Sequence, residues 1–143
     1  MGISDKESLV RNHQTIKVLF VDDNALCRRL MKKLFSRINN LEAELAVDGN
    51  EALRLTTQNK YDIILMDIQL PHINGYEVTR QIRKREAKLG VYTPIIAVTA
   101  CVGNEDIIRC SEAGMDDFIP KPIRTENLLS KIRQYSARDE TFI

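Results

Sequence analysis

The chain has 143 residues, of which 43% are hydrophobic and 29% are charged, and its formal net charge is +1 at pH 7. This length and composition suit one soluble globular domain with a sizeable core. The small net charge argues against a nucleic-acid binder that works by bulk electrostatics, and no apolar run approaches the ~20 residues that span a membrane.

Residues 1–15 are polar and unpatterned, which predicts a flexible N-terminal arm or linker. After them, apolar runs and helical spacings alternate and predict five strands, each followed by a helix. The predicted strands are residues 16–21, 41–47, 63–66, 95–99 and 117–120. The predicted helices run from about residue 25 to the break at Asn39-Asn40, then over residues 49–58, 75–88, 105–113 and 125–135.

Strands that alternate with helices through right-handed crossovers build a parallel sheet with helices on both faces. We therefore predict an α/β fold, a doubly wound five-stranded sheet, in a single domain over residues 16–136. Residues 137–143 would form a C-terminal tail.

The first predicted helix has an apolar side and a basic side. Asp23 or Asn24 is placed to cap its N-terminus. The apolar positions at helical spacing are Cys27, Leu30, Met31, Leu34, Phe35 and Ile38. The basic positions are Arg28, Arg29, Lys32 and Lys33. Such a basic side is usually solvated, and it could also meet an acidic partner.

The three cysteines, Cys27, Cys101 and Cys110, are an odd number without a C-x-x-C pair. Each lies in or beside an apolar helical pattern. We interpret them as small core-filling thiols of a reduced cytosolic protein, in preference to a redox or metal site.

The residue Asp67 follows four consecutive apolar residues, 63–66, that are typical of a strand buried on both faces. Pro71 and Asn74-Gly75 punctuate the chain soon afterwards. Ligands of open α/β sheets bind outside the carboxyl ends of the strands, so this carboxylate is placed where a functional site is expected. A strand-ending or helix-capping aspartate fits the local sequence equally well.

The ends of the other strands bring further polar groups to the same rim of the sheet: Asp22, Asp23, Thr99 and Lys121. Three carboxylates held close together repel one another, and a divalent cation removes that conflict. Oxygen ligands without cysteine or histidine favour Mg²⁺.

A carboxylate can act as a nucleophile and form an acyl phosphate. The oxygens of the attacked phosphoryl group need positive charge and hydrogen-bond donors, which Mg²⁺, the Lys121 ammonium and the Thr99 hydroxyl can provide. Taken singly, these residues could be a capping pair, a strand end and a surface charge. Together they favour a phosphoryl site.

Four segments carry a resemblance to the receiver domain of two-component response regulators: residues 18–24, 64–71 with Asn74-Gly75, 94–100 and 113–122. Their order and spacing are specific, and the resemblance covers nearly the whole chain. It implies the flavodoxin-like strand order 2-1-3-4-5.

The resemblance also implies site roles. Asp67 would be the phosphoacceptor. Asp22 and Asp23 would hold Mg²⁺ together with Asp67 and the backbone carbonyl of Gln69.

Three further roles follow from the resemblance. Thr99 would be the switch hydroxyl and Lys121 the phosphate partner. Phe118 would be the aromatic that changes rotamer, although it could simply be a core aromatic. The Lys121–Pro122 peptide bond would be cis. Phosphorylation would bias a surface made of the fourth helix, the fifth strand and the fifth helix.

Asp22-Asp23-Asn24 and residues 66–71 look most like receivers attached to hybrid histidine kinases. The implied partner is a histidine kinase or a histidine phosphotransfer domain. We expect no direct contact of this chain with nucleic acid or membrane, and a monomer or weak dimer. We also expect a cytoplasmic location, either free or as the cytoplasmic part of a membrane-anchored kinase. The chain would promote its own phosphorylation and dephosphorylation without being a turnover enzyme.

Three alternatives remain at this point. A stand-alone response regulator shares the same motifs. A haloacid-dehalogenase-like phosphohydrolase also uses an aspartate and Mg²⁺, but it needs its nucleophile after the first strand and a second acid where Gln69 stands. A flavodoxin-like flavin binder needs a phosphate-binding loop after the first strand, where Asp22 and Asp23 would repel a phosphate.

Overall fold

The computed structural model describes residues 15–136, so the predicted arm, apart from Thr15, and the predicted tail 137–143 lie outside the described residues. Five strands alternate with five helices. The strands are β1 Ile16–Val21, β2 Leu41–Ala46, β3 Ile63–Asp67, β4 Ile95–Thr99 and β5 Asp117–Pro120. The helices are α1 Ala25–Ser36, α2 Gly49–Gln58, α3 Gly75–Leu89, α4 Asn104–Ala113 and α5 Thr125–Ser136. None of the helices within residues 15–136 has the length and apolar character needed to cross a bilayer.

The five strands form one parallel sheet in the order β2-β1-β3-β4-β5. The predicted fold class and strand order are therefore confirmed. The register aligns the strand ends, because Val21 pairs with Met66 in β3, and Thr99 pairs with Pro120 in β5. The residues that follow these strands consequently meet at one edge of the sheet, called the carboxyl edge below.

The core has one layer on each face of the sheet. Side chains such as Leu19 and Ile64 pack with α2, α3 and α4, whereas Phe20 and Leu65 pack with α1 and α5. Every residue of β3 and β4 is buried. Burying a large apolar side chain stabilises the fold by about 1.5–3 kcal/mol, so these two strands hold the carboxyl edge in place.

The helix ends follow the capping chemistry of the sequence. Asn24 caps α1 by accepting a hydrogen bond from the Cys27 N–H over 2.9 Å, which leaves Asp23 free of this task. Asn74 caps α3 in the same way. Gly90 and Gly114 end α3 and α4 with φ of 71° and 104°, a left-handed conformation that glycine adopts without a Cβ penalty.

Two expectations about side-chain burial were wrong, and one predicted strand is one residue too long. Leu30 is 55% exposed, because it lies on the side of α1 that faces away from the sheet. The second strand ends at Ala46 instead of Val47, and Val47 is exposed. Cys101 is exposed because it follows β4 in the loop that leaves the core, whereas Cys110 is buried and Cys27 is partly buried.

Candidate functional site at the carboxyl edge

The carboxyl edge brings together all three predicted aspartates. Asp22 and Asp67 are buried, with 1% and 4% of their surface exposed, whereas Asp23 is exposed. One carboxylate oxygen from each of Asp22, Asp23 and Asp67 lies within 4.8 Å of the other two. The fold therefore creates an acidic cluster that is closed on the protein side and open to solvent at Asp23.

Asp22 is held at three of its polar atoms. Its backbone N–H donates to the Ala46 carbonyl over 3.1 Å, and its Oδ1 accepts a hydrogen bond from the Asn24 N–H over 2.8 Å. Its backbone carbonyl accepts a hydrogen bond from Nη1 of Arg28 over 2.8 Å. Its Oδ2 is buried and makes no hydrogen bond within residues 15–136. A buried carboxylate oxygen in this state is costly unless a cation or an ordered water completes it.

Asp67 is held at both side-chain oxygens. Oδ1 accepts a hydrogen bond from the backbone N–H of Gln69 over 3.1 Å, and Oδ2 lies 3.1 Å from Nζ of Lys121. The same ammonium is 3.6 Å from Oδ2 of Asp22. Lys121 thus bridges the two buried carboxylates, one directly after β1 and one at the end of β3.

The electrostatics of the cluster follow from its burial. Burial raises the pKa of the Asp67 carboxyl above its ordinary value, and the Asp22 carboxylate raises it further, against the opposing effect of Lys121. Burial alone would lower the pKa of the Lys121 ammonium, but the carboxylates of Asp67 and Asp22 outweigh it and raise this pKa. The lysine is therefore a fixed positive charge at neutral pH.

The donor set fits a hard divalent cation. The three aspartates offer oxygen atoms, and the buried Oδ2 of Asp22 has no hydrogen-bond partner among residues 15–136, so a metal ion or its bound water can pair with it. Burial raises the pKa of the nearby Cys27 thiol to about 11, and the Asp22 carboxylate adds to this rise. The thiol consequently stays protonated at neutral pH and does not turn the cluster into a thiolate site. The cluster therefore fits Mg²⁺.

The two predicted switch residues lie on β4 and β5, and Thr99 is joined to the cluster through the backbone of Lys121. Thr99 is buried, and its Oγ1 accepts a hydrogen bond from the Cys101 N–H over 3.0 Å. Its carbonyl accepts from the backbone N–H of Lys121 over 2.9 Å, which ties the end of β4 to the residue after β5. Phe118 is partly buried and packs against the core layer that contains α4. The Lys121–Pro122 bond is cis, as the resemblance implied.

Two features of the site were missed by the sequence reasoning. Arg28 was placed on a basic side that is usually solvated or could meet an acidic partner, yet it contacts the Asp22 backbone of its own chain. Gly75 was interpreted only as part of a turn signal, yet a Cβ at this position would lie 2.3 Å from the Asp67 carbonyl oxygen. The spacing of Arg28 from the strand end could have hinted at the first contact. The Asn-Gly pair before a helix could have hinted at the second, because glycine often marks a close approach of two backbones.

A cleft of about 520 Å³ opens at the opposite edge of the sheet, between the C-terminal ends of α2 and α3. It is lined in part by Leu89, Val91 and Tyr92 and by the start of β4. None of the three aspartates of the cluster, nor Lys121, lines this cleft. The acidic cluster is therefore separate from this cleft.

Comparison with known proteins identifies the family. The family model described as "Response regulator receiver domain" matches residues 18–133. Hybrid signal transduction histidine kinase L of Dictyostelium discoideum is 40% identical over 123 residues, which cover 83% of this chain and 7% of that kinase. The chain thus spans only a small part of this much longer relative.

Two solved structures are similar in fold and sequence. The receiver domain of the sensor histidine kinase PA1611 from Pseudomonas aeruginosa has a magnesium ion coordinated in its active-site cleft; it is 32% identical with a TM-score of 0.75, and the match covers 84% of this chain and 96% of that one.

The other solved structure is a complex of two yeast proteins. The receiver domain of Ssk1 from Saccharomyces cerevisiae, crystallised with the histidine phosphotransfer protein Ypd1, is 29% identical with a TM-score of 0.79, over 85% of this chain and 89% of that one. The sheet order, the acidic cluster and these matches agree, and the chain belongs to the response regulator receiver domain family.

Proposed function

We propose that this chain accepts a phosphoryl group from a phosphohistidine onto Asp67, in the presence of Mg²⁺. The observation that carries the proposal is the position of the Asp67 carboxylate. It lies between the Lys121 ammonium, at 3.1 Å, and the oxygens of Asp22 and Asp23, within 4.8 Å. A receiver domain of this family, that of PA1611, holds a magnesium ion in its active-site cleft, which supports the same cation here.

In the proposed reaction, a carboxylate oxygen of Asp67 forms a bond to phosphorus while the bond from phosphorus to the histidine nitrogen breaks. The product is an aspartyl phosphate and a free histidine. When bound by Asp22, Asp23, Asp67 and the Gln69 carbonyl, Mg²⁺ would supply positive charge for the phosphoryl oxygens. The Lys121 ammonium is placed to stabilise the same oxygens, since it already lies against Asp67.

The signal would pass from Asp67 to a surface formed by α4, β5 and α5. A phosphoryl group adds about −1.5 to −2 charge at one point. We propose that the Thr99 hydroxyl exchanges its bond with the Cys101 backbone for one with the phosphoryl oxygens. Phe118, which packs beside α4, would then turn inward and bias this surface toward its second state.

The partner would be a histidine kinase or a histidine phosphotransfer domain, and its histidine must reach the carboxyl edge. Leu26 and Leu30 offer an apolar contact there, because they lie one turn apart on the helix that follows Asp23 and are 59% and 55% exposed. We propose that these two leucines contact the phosphodonor domain. The complex of the yeast Ssk1 receiver domain with the phosphotransfer protein Ypd1 supports a protein of this kind as the donor or acceptor of the phosphoryl group.

The similarity to hybrid histidine kinases supports a place for this chain in a phosphorelay, either within such a kinase or as a stand-alone regulator. We propose a cytoplasmic location, because the three cysteines are unpaired, which suits a reducing compartment. We also propose a monomer or weak dimer that makes no direct contact with nucleic acid, which size-exclusion chromatography and a DNA-binding assay would test.

Incubation with a small-molecule phosphodonor such as acetyl phosphate tests the site. Peptide mapping by mass spectrometry is expected to find the phosphoryl group on Asp67, with none when Mg²⁺ is removed by EDTA. Asp67→Asn is expected to remain unlabelled. Label on another residue, or label without a divalent cation, would contradict the proposal.

A second experiment tests the contact with the donor domain. Leu26→Ser with Leu30→Ser is expected to slow transfer from a phosphorylated histidine phosphotransfer domain at least about tenfold, since the variant loses the free energy of burying two apolar side chains on contact. The rate with acetyl phosphate should stay unchanged. Leu89→Ser is the matched control, because Leu89 is 69% exposed at the opposite edge. Equal slowing by both variants would rule out the assigned contact.

A further inference from the structure

Arg28 lies near the start of α1 but turns its side chain back toward the strand that precedes the helix. Its Nη1 donates to the Asp22 carbonyl over 2.8 Å, six residues earlier in the chain. The side chain is partly buried, whereas the next residue, Arg29, is exposed. Within the part of the chain that the structure describes, Arg28 therefore contacts the backbone of Asp22, whereas Arg29 extends into solvent.

The bond from Arg28 acts on a peptide unit that belongs to both acidic residues. The Asp22 carbonyl and the Asp23 N–H share one planar group. The N–H of Asp22 is fixed by Ala46 and its Oδ1 by the Asn24 N–H. Arg28 restrains the carbonyl of this unit, so it sets the direction in which the chain, and the Asp23 side chain with it, leaves the sheet.

We propose that Arg28 is a positioning residue of the cation site. By holding the Asp22–Asp23 peptide, it keeps the two carboxylates in the arrangement that receives Mg²⁺, with the buried Oδ2 of Asp22 left without a hydrogen bond. This inference rests on the proposed function, in which these aspartates bind the cation. Arg28 would act by holding the backbone of Asp22 in place, and it would not touch the reacting atoms.

The charge and the hydrogen bond of Arg28 have opposite effects on cation affinity. A guanidinium close to the cluster repels Mg²⁺, so removing its charge alone would tighten binding. Removing the hydrogen bond loosens the peptide and would weaken binding, since such outer contacts orient the ligands of a metal. The sign of the change in a neutral variant therefore separates the two roles.

Mg²⁺ titrations followed by NMR shifts of the backbone amides would test the inference. Arg28→Met is expected to bind Mg²⁺ about tenfold more weakly than the wild type, the low end for outer contacts of a metal site. Arg28→Lys keeps a charged donor and should recover most of the affinity. Arg29→Met, the exposed neighbour, should bind like the wild type. Unchanged or tighter binding by Arg28→Met would overturn the inference.

The rate of labelling by acetyl phosphate gives a second readout. Arg28→Met should need about tenfold more Mg²⁺ for its half-maximal rate and should reach the wild-type rate at saturation, if the residue acts by positioning ligands. A lower saturating rate with an unchanged Mg²⁺ requirement would contradict it. If Arg28→Met does not fold, Arg28→Gln carries the same comparison, because its shorter side chain cannot span the distance.

The two proposals fail in different ways. A wild-type protein that binds no Mg²⁺ would remove the proposed function and this inference together. A wild-type protein that binds Mg²⁺ and is labelled on Asp67, with the same affinity in Arg28→Met, would remove this inference alone.

Discussion

The Lys121 ammonium lies 3.1 Å from Oδ2 of Asp67, although 54 residues separate the two in the chain. The parallel pairing of β3 with β4 and of β4 with β5 brings them together. Because the same ammonium also lies 3.6 Å from Asp22, one lysine balances two buried carboxylates. The cluster therefore carries excess negative charge until a cation joins it.

Lys121→Met is expected to lower the free energy of unfolding by about 1–3 kcal/mol in EDTA, because it leaves buried carboxylates without a partner. Saturating Mg²⁺ should restore part of the loss, which urea denaturation would measure. Lys131→Met is the control, since Lys131 pairs with Asp117 at 2.6 Å, outside the cluster. A loss from Lys121→Met that is the same with and without Mg²⁺ would contradict the prediction.

Asp67→Asn is expected to stabilise the Mg²⁺-free protein at neutral pH. Burial raises the pKa of Asp67 in the folded protein above its ordinary value, so the folded state holds this proton more tightly. The resulting stability is complete below the unfolded pKa and is lost as the pH rises through the folded pKa. Asp67→Asn carries no titrating carboxyl at this position, so its free energy of unfolding at pH 7 should exceed that of the wild type by about 0.5–2 kcal/mol.

Urea denaturation at pH 7 and near pH 4 would check the titration of Asp67. The advantage of Asp67→Asn should shrink toward the lower pH, as the wild-type carboxyl takes up its proton. An advantage that is equal at both pH values would show that the titration of Asp67 is not its source.

Gly75→Ala is expected to destabilise the protein by about 1–3 kcal/mol, as overpacking does, and to slow the labelling of Asp67. The added Cβ would lie 2.3 Å from the Asp67 carbonyl oxygen, a backbone atom that cannot turn aside. Gly103→Ala is the control, because its Cβ would meet only the flexible Asp106 side chain, at 3.2 Å. Thermal melts and labelling rates would measure both effects. Equal behaviour of the two variants would refute the steric argument.

Arg83→Met is expected to lower the free energy of unfolding by about 1–3 kcal/mol, because Arg83 lies in a partly buried ion-pair network whose carboxylates would lose their partner. Its guanidinium contacts Glu86 and Asp116 and donates to the Gly114 carbonyl over 2.9 Å. Arg80→Met, which breaks an exposed pair one turn away, should cost less than about 1 kcal/mol. Urea denaturation would measure both losses, and comparable losses would contradict the assignment.

The Arg83 network lies at the edge of the sheet opposite to the acidic cluster. Folded Arg83→Met is therefore expected to take up phosphate on Asp67 at the wild-type rate, measured with acetyl phosphate at a temperature where both proteins are folded. A large loss of labelling would show that the network also acts on the site.

The sequence alone determined the order of the elements and the identity of the cluster. Local rules suffice for both, because a doubly buried strand such as β3 must be an uninterrupted apolar run, and because Asn74 and Gly90 mark the ends of a helix by their own chemistry. The placement of Asp67 at a strand end then followed from the fold class.

Only the tertiary structure decided which side chains reach the cluster and which face solvent. Helical spacing places Leu30 with the apolar positions of α1 and Arg28 with the basic ones, yet Leu30 is exposed and Arg28 bonds to Asp22. The physical reason is that spacing describes the direction of a side chain from its own helix axis. Contact depends on how that helix is rotated and docked on the sheet, which long-range packing sets.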